Sequence, residues 1–308
     1  MRAIKLLVLG LFFVLTAFSA NAAELRLEKG PADNLAKLQL GNLEFWAIQD
    51  SPGEMGIDLF KGPLSMEQRE ALLPSGAAAA SINVFMIKSP DQVILVDTGL
   101  GTGGDFKGAL LDLLKAAQIS PEAVDSVLLT HLHFDHCGGL LKDDKPAFPN
   151  ATVYVSRLEQ EFWTNPDLLK GDSFFKDNAQ LVKKIYEAYG DRIWDFEFVE
   201  LVGADGITSL DATGHTPGHT AFTVFSSEED QGIIIVGDIL HGAAIQFAYP
   251  DENTEYDMDQ AKSPAARKAI LSKAAKEKLL VAGMHIPWPG IGYVREDDKG
   301  GFVFTPIK

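Results

Sequence analysis

The sequence predicts an α/β layered domain built on mixed β-sheets. Apolar β-branched runs alternate along the chain with segments of helical periodicity, the pattern of sheets covered by helices. Several strand runs are joined by hairpin-length turns, which argues for mixed rather than purely parallel sheets. The pattern alone leaves open whether there is one sheet or two. The 308 residues, 46% of them hydrophobic, are enough for a substantial core.

In chain order, Met1–Lys5 carries Arg2 and Lys5, Leu6–Phe18 is almost wholly apolar, and Ala20-Asn21-Ala22 supplies a small-x-small cleavage pattern. Residues 1–22 therefore read as a secretory signal peptide, with an apolar run short for a membrane span. The mature chain is expected to be secreted or periplasmic, with no stable membrane insertion after cleavage. Residues 23–308 read as one domain that begins with a loosely tied segment to about residue 40. Leu43–Ile48 reads as a strand, and Ser65–Leu73 as a short helix before Pro74. Ile82–Lys88 and Val93–Val96 flank the turn Ser89-Pro90-Asp91, a hairpin signal. Phe106, Leu110, Leu113, Leu114 and Ala117 fall at helical spacing. Ser120-Pro121 starts another helix. Val127–Leu129 is a short buried strand.

Thr152–Val155 reads as a strand, followed by a helix over Arg157–Trp163 and a second over Phe175–Tyr189, ended by Gly190. Phe196–Leu201, Ile207–Asp211, Phe222–Phe225 and Ile233–Val236 read as strands. Ser263-Pro264 opens a helix to about Lys278. Leu279–Ala282 is a strand and Tyr293–Thr305 a closing hairpin.

The formal charge is −16, and loss of Arg2 and Lys5 with the signal takes it to −18. Such a surface repels nucleic-acid phosphates and anionic membranes, so it argues against a nucleic-acid partner and favours a small neutral or cationic substrate. The same charge also serves plain solubility. Cys137 is the one cysteine. An intrachain disulfide is therefore impossible, and an exported chain must rely on core packing or metal.

Residues 130–139 read THLHFDHCGG. His131 and His133 are two apart, so in extended backbone they share a face and can reach one metal. Asp135 and His136 follow as the chain turns and can reach a second. Imidazole and carboxylate are the donors zinc takes. Downstream come GHTPGHT at 214–220, with His215 and His219, then Gly237-Asp238 after one predicted strand and His285 after another. Strand ends are where α/β proteins place their chemistry. All seven histidines, His241 included, fall in these segments. Four donor groups within residues 131–136 mark a metal site rather than scattered structural histidines.

HLHFDH resembles the HxHxDH signature of the metallo-β-lactamase superfamily. Asp97-Thr98-Gly99, TPGHT at 216–220, Gly237-Asp238 and the late His285 match its remaining motifs in order and approximate spacing, so the resemblance covers about residues 40–308. Within the superfamily, FPNATVYVSRLEQEFW (148–163), GDILHGAAIQF (237–247) and PGIGYVREDDKGGFVF (289–304) are similar to methyl parathion hydrolase and its relatives. The resemblance implies a four-layer αβ/βα sandwich with two mixed β-sheets and two divalent metal ions, zinc first, at one edge.

Carried over by position, His131, His133 and His219 hold the first ion, Asp135, His136 and His285 the second, and Asp238 bridges them. A water between the ions then supplies a hydroxide that attacks C=O or P=O, and Asp135 can orient it. The implied activity is hydrolysis of ester-type bonds: phosphotriester, lactone or aryl ester. Asp97 is expected to hold a ligand histidine from behind, or to be a plain turn residue, and His215 to be structural or to support a ligand. His241 is a candidate for giving a proton or hydrogen bond to the oxyanion or leaving group. Cys137 reads as a small buried residue rather than a ligand. Phe106, Trp163, Phe174 and Phe175 are candidates for an aromatic leaving-group pocket, with Phe162 and Trp288 behind them and core packing as the alternative. A homodimer is a family expectation.

Other activities of the same fold fit less well. The β-lactamases generally lack a carboxylate at the position of Asp238. The thioester hydrolase of glutathione conjugates is usually cytosolic and carries a basic tail that this sequence lacks. Nucleases are disfavoured by the charge, and the oxygen-reducing diiron branch by His133, where that branch usually has glutamate. A non-catalytic metal-binding protein is expected to have lost ligands, and here the set is complete.

Overall fold

The computed structural model describes residues 25–103, 107–170, 174–204, 206–226 and 231–308. The export signal read in residues 1–22 and the pocket candidate Phe106 lie outside them. The chain opens with strands β1 (Glu28–Lys29), β2 (Leu35–Leu40) and β3 (Leu43–Gly56), helix α1 (Met66–Leu72), strands β4 (Ala77–Lys88) and β5 (Val93–Val96), helix α2 (Leu110–Ala116), strand β6 (Ser126–Leu128) and helix α3 (Phe134–Cys137). It continues with β7 (Leu141–Lys142), β8 (Lys145–Pro146), β9 (Thr152–Ser156), α4 (Arg157–Trp163), α5 (Phe174–Tyr189) and β10 (Ile193–Phe196). It closes with β11 (Ile207–Asp211), β12 (Thr220–Phe225), β13 (Gly232–Ile235), α6 (Ala243–Gln246), α7 (Lys262–Glu277), β14 (Leu280–Ala282), β15 (Ile291–Glu296) and β16 (Phe302–Pro306).

Among the described residues there are two main sheets. One has eight strands in the order β1-β2-β3-β4-β5-β6-β9-β10, and the other has six, β11 to β16 in sequence order; β7 and β8 form a small ribbon. Both are mixed. β5–β6, β6–β9, β9–β10 and β13–β14 are parallel, and the remaining neighbours are antiparallel. Side-chain alternation sorts each strand between two layers. From β3, Trp46 and Ile48 join Leu114, Trp163, Val182 and Ile185 in a core beneath α2, α4 and α5. Phe45 and Ala47, facing the other way, meet Phe85, Phe222, Val224 and Ile235 in a core between the sheets. Beyond the second sheet, Ile234, Val236 and Val281 pack on Ile270, Leu271 and Ala274 of α7. Helices, sheet, sheet and helices thus make the four expected layers.

Three stretches differ from the sequence expectation. Residues 35–40 are not loosely tied, because β2 pairs with β3 along its whole length and buries Leu35, Leu38 and Leu40. The strand expected over Phe196–Leu201 ends at Phe196, since Val199 adopts φ 65° and extended backbone cannot continue through it. Ser120-Pro121 opens only a single 3-10 turn, Pro121–Ala123. Among the described residues no helix is long and apolar enough to cross a membrane.

This layout gathers the candidate residues at the carboxyl ends of parallel strands. Asp97 follows β5, His131–His136 follow β6, Asp238 follows β13 and His285 follows β14. The inter-sheet core carries that alignment. Phe45 and Phe85 stack there at 5.4 Å, both without exposure. Phe85→Ala is expected to lower the free energy of unfolding by about 3–5 kcal/mol in a urea titration. A loss within about 0.5 kcal/mol, the range of surface changes, would mean that this layer does not hold the two sheets.

Candidate metal centre

After β6 the chain stays extended as far as His133 (φ −70°, ψ 153°) and then turns into α3. Leu132, between the two histidines, points into the core beneath the helices, which leaves His131 and His133 together on the opposite side. His131 Nε2 lies 3.0 Å from His133 Nδ1, and His133 Nδ1 lies 3.0 Å from His215 Nε2. These three buried rings are close enough to hold one metal ion. The turn into α3 sends Asp135 and His136 elsewhere. Asp135 Oδ2 is 3.5 Å from both His136 Nε2 and His285 Nε2, forming a second such group.

Asp238 stands between the groups. Its Oδ1 is 3.2 Å from His136 Nε2. Its Oδ2 is 3.1 Å from His285 Nε2, 3.1 Å from His241 Nε2, 3.4 Å from His215 Nε2 and 3.7 Å from His131 Nε2.

Four of these rings are gripped from behind through Nδ1. His131 Nδ1 donates to the Thr130 hydroxyl (3.1 Å), His136 Nδ1 to Asp97 Oδ2 (2.7 Å), His285 Nδ1 to the Ser81 carbonyl (2.9 Å) and His215 Nδ1 to Asp257 Oδ1 (3.3 Å). Holding the proton on Nδ1 leaves Nε2 to face the centre. Asp97, at φ 62°, also accepts the Thr130 amide and hydroxyl, each at 2.7 Å. It therefore fixes both His136 and the start of the motif loop. His241 is the exception: its ring stacks on His285 at 5.2 Å, and its buried Nδ1 has no hydrogen-bond partner among the described residues.

The expected positions of His215 and His219 are exchanged, and the expected placement of His219 with His131 and His133 is corrected. His219 Nδ1 donates to the Ala212 carbonyl (2.9 Å), and its Nε2 accepts the backbone N–H of Asp238 (2.9 Å). Both ring nitrogens are thus used by backbone. Burial, with His215 nearby, pushes His219 down to about 3, so the ring is neutral and free to accept. Gly237 permits the contact: it adopts φ 57°, and a Cβ there would come within 2.3 Å of His219 Nε2.

Glu159, which no motif pointed to, is wholly buried. It accepts from the Leu132 amide (3.0 Å), Trp163 Nε1 (2.7 Å), the Thr216 hydroxyl (2.7 Å) and the Gly218 amide (2.9 Å). It thereby ties the His131–His133 loop to the His215 loop. Burial raises its carboxyl above the ordinary value, against those four bonds. Trp163 is consequently a buried brace whose ring lies 5.5 Å from His133 and stacks on Phe175 at 6.0 Å. Phe174, 5.3 Å from His133, is exposed together with Phe175 and Phe134. Phe162 packs on Trp163, and Trp288 packs against the inter-sheet core. Cys137 is buried, its thiol pushed up by burial, and its Sγ lies against the Leu132 carbonyl.

The donor set fits metal. His136 Nε2 and Asp238 Oδ1 are buried without hydrogen-bond partners among the described residues. Burial opposes charge on both residues. Even so, His136 and His285 hold Asp238 well below the carboxylate range, and Asp238, Asp135 and Asp97 hold His136 well above the imidazole range. The unpartnered imidazole nitrogen and carboxylate oxygen converge with the other donors on one point, and a divalent cation there would satisfy both.

Comparison with known proteins agrees with this geometry. Residues 78–285 match the profile of the Metallo-beta-lactamase superfamily. The N-acyl homoserine lactonase AttM of Azorhizobium caulinodans is 32% identical over 117 residues, 36% of this chain and only 40% of the relative's own length. The N-acyl homoserine lactonase of Bacillus thuringiensis is 25% identical over 238 residues, 68% of this chain and 83% of that one. Among solved structures, the hydrolase AbOPH of the beta lactamase superfamily superimposes with TM-score 0.80 at 32% identity, covering 91% of this chain and 99% of that one. AidC, a dizinc quorum-quenching lactonase in complex with the product N-hexanoyl-L-homoserine, gives TM-score 0.79 at 27% identity, covering 89% and 98%.

The role of Glu159 can be tested directly. In Glu159→Gln, the amide nitrogen faces a pair of donors whichever way the side chain turns. The substitution is expected to cost about 1–3 kcal/mol in urea unfolding and to weaken zinc binding. An unchanged unfolding midpoint would overturn the bracing role.

Proposed function

The chain belongs to the metallo-beta-lactamase superfamily, and we propose that it is a two-metal hydrolase of ester bonds whose preferred substrate is a lactone carrying an apolar acyl chain. The observation that carries this reading is the convergence of two donor groups on the Asp238 carboxylate beside an exposed aromatic face. In it, His131, His133 and His215 would hold one ion and Asp135, His136 and His285 the other, with Asp238 within reach of both groups. Zinc is the metal, from the imidazole and carboxylate donors. Bound there, the two ions supply Lewis acidity toward a water and toward the ester carbonyl.

The chain's own residues do the rest. Asp135, whose side chain is 17% exposed at the mouth, accepts a hydrogen bond from the incoming water and sets its direction. His241 donates through Nε2 to Asp238, so its unpartnered Nδ1 can take a proton from the attacking water and return it to the ester oxygen that leaves. Phe174 and Phe175 offer the acyl chain an apolar surface and shield the bond under attack from bulk water. The lactonase activity in the names of the relatives from A. caulinodans and B. thuringiensis, and of AidC, supports the choice of a lactone. The acidic charge suits a neutral molecule. Export through residues 1–22 and pairing into a homodimer belong to the same proposal. The segments similar to methyl parathion hydrolase favour a second reading, an aryl phosphotriester attacked at P=O in the same centre.

Turnover of a medium-chain N-acyl homoserine lactone and an aryl phosphotriester by the zinc-loaded chain, measured side by side, tests the substrate assignment. The lactone rate is expected to dominate. A dominant phosphotriester rate would select the second reading, and no turnover of either with two zinc ions bound would overturn the hydrolase itself. His241→Ala is expected to lower kcat about 100-fold while the zinc content stays unchanged. Undiminished turnover would make His241 scaffolding.

A further inference from the structure

Three of the four rings gripped through Nδ1 are held by residues of the first sheet or by the loops leaving it: Thr130, Asp97 and Ser81. His215 is not. It lies on the loop between β11 and β12, and its partner Asp257 belongs to the irregular strap, residues 250–261, that precedes α7. The strap is folded around Asp257. Asp257 Oδ2 accepts the Thr254 amide (2.9 Å), and Gln260 Nε2 donates to the carbonyls of Thr254 (3.1 Å) and Asp257 (2.7 Å). Its backbone also clasps the histidine loop, with the Met258 amide on the His215 carbonyl (3.1 Å) and the Asp259 amide on the Gly214 carbonyl (2.9 Å).

Behind the strap lies Arg267 of α7, fully buried. Its guanidinium donates to the carbonyls of Pro250 (2.6 Å) and Glu252 (3.0 Å) in the strap, to the Ser263 hydroxyl (3.3 Å), and to the carbonyl of Ile239, next to Asp238. Its Nη2 stands 3.6 Å from Asp257 Oδ2. One planar cation thus joins the strap that holds His215 to the turn that holds Asp238, a fork geometry a lysine cannot reproduce.

We propose that Asp257, itself fixed by Arg267, is the positioning residue that sets the tautomer and direction of His215. The proposal rests on the reading of His131, His133 and His215 as a metal site. Asp257 accepts only. With Oδ2 taken by the Thr254 amide and faced by the Arg267 guanidinium, Oδ1 is left for the Nδ1–H of His215, and Nε2 is turned to the centre. Asp257→Asn should invert this. The two donors on the Oδ2 side select the asparagine oxygen, so its NH2 faces His215 Nδ1 and drives the ring proton to Nε2, the nitrogen that has to face the metal.

The test uses the full chain, titrated with zinc against a competing chelator, together with histidine ring ¹⁵N NMR of the metal-free protein. Wild type is expected to bind two zinc ions and to show His215 protonated on Nδ1. D257N is expected to weaken one of the two zinc ions about 10–100-fold, leave the other unchanged, and show His215 protonated on Nε2. Two zinc ions bound as tightly as in wild type, with Nδ1–H retained, would overturn the positioning role and leave the metal site standing. A wild type that does not bind two zinc ions would overturn both. Should D257N not fold, Arg267→Lys is expected to give the same loss at one zinc ion, and unchanged affinity there would equally sink the proposal.

Discussion

Five imidazole nitrogens lie between 3.1 and 3.7 Å from the one carboxylate of Asp238, in a pocket with almost no exposure. Groups this polar are costly to bury without partners, and those left without one here, His136 Nε2 and Asp238 Oδ1, are the atoms a metal would satisfy. Their rings do not stay pointed at one another unless something behind each ring prevents it from turning. The rest of the architecture answers that requirement. The sheets bring four strand ends to one edge, and His131, His136 and His285 arrive there already aimed by hydrogen bonds at the far side of each ring.

Buried carboxylates do much of this aiming, and each links segments far apart in sequence. Asp97 joins β5 to the loop after β6. Glu159 joins that loop to the segment before β12. Asp50 accepts the amides of Leu100 (2.9 Å) and Leu110 (2.8 Å), fixing both ends of the loop between β5 and α2. Burial raises the carboxyls of Asp97, Glu159 and Asp50 alike; His136 offsets the cost at Asp97, and the donors that converge on each carboxylate offset it further. Such groups add little net stability to the fold. Their contribution is position, and position decides whether facing nitrogens form a site or a collection of misdirected rings.

This division explains what the sequence could tell. Alternation and helical spacing predicted the layers, because burial on a sheet or helix face is a periodic property. The missed strand β2 did alternate, but over only six residues, and the strand misplaced onto Phe196–Leu201 failed at a single backbone angle, that of Val199. Residues 131–136 were legible because four donor groups crowd one short stretch of chain. His215 and His219 were not separable. Both are preceded by glycine and followed by threonine, and what distinguishes them is the Asp238 amide, which reaches His219 from 19 residues away. Glu159 and Asp257 had no local signal at all. They look like ordinary acidic residues until the fold surrounds them with donors from distant loops.

The two halves of the centre have different neighbours, and that asymmetry bears on how a substrate can lie. On the side of His133 the walls are aromatic, with Phe174 at 5.3 Å and Trp163 at 5.5 Å. On the side of His285 the neighbours are polar: His241 stacks on it, and the half-exposed Tyr256 stands 6.1 Å from His241. On the proposed reading, a molecule with an apolar tail and a polar head gains most by laying the tail over the phenylalanines, since burying it on the other side would strip water from groups with no compensating partner. That places the ester oxygen that must leave near His241, whose Nδ1 is, with His133 Nε2 and His136 Nε2, one of the three ring nitrogens without a partner among the described residues. The orientation therefore follows from where apolar surface is exposed and where hydrogen-bonding capacity is unspent, and it is the same for any ester that has one greasy end.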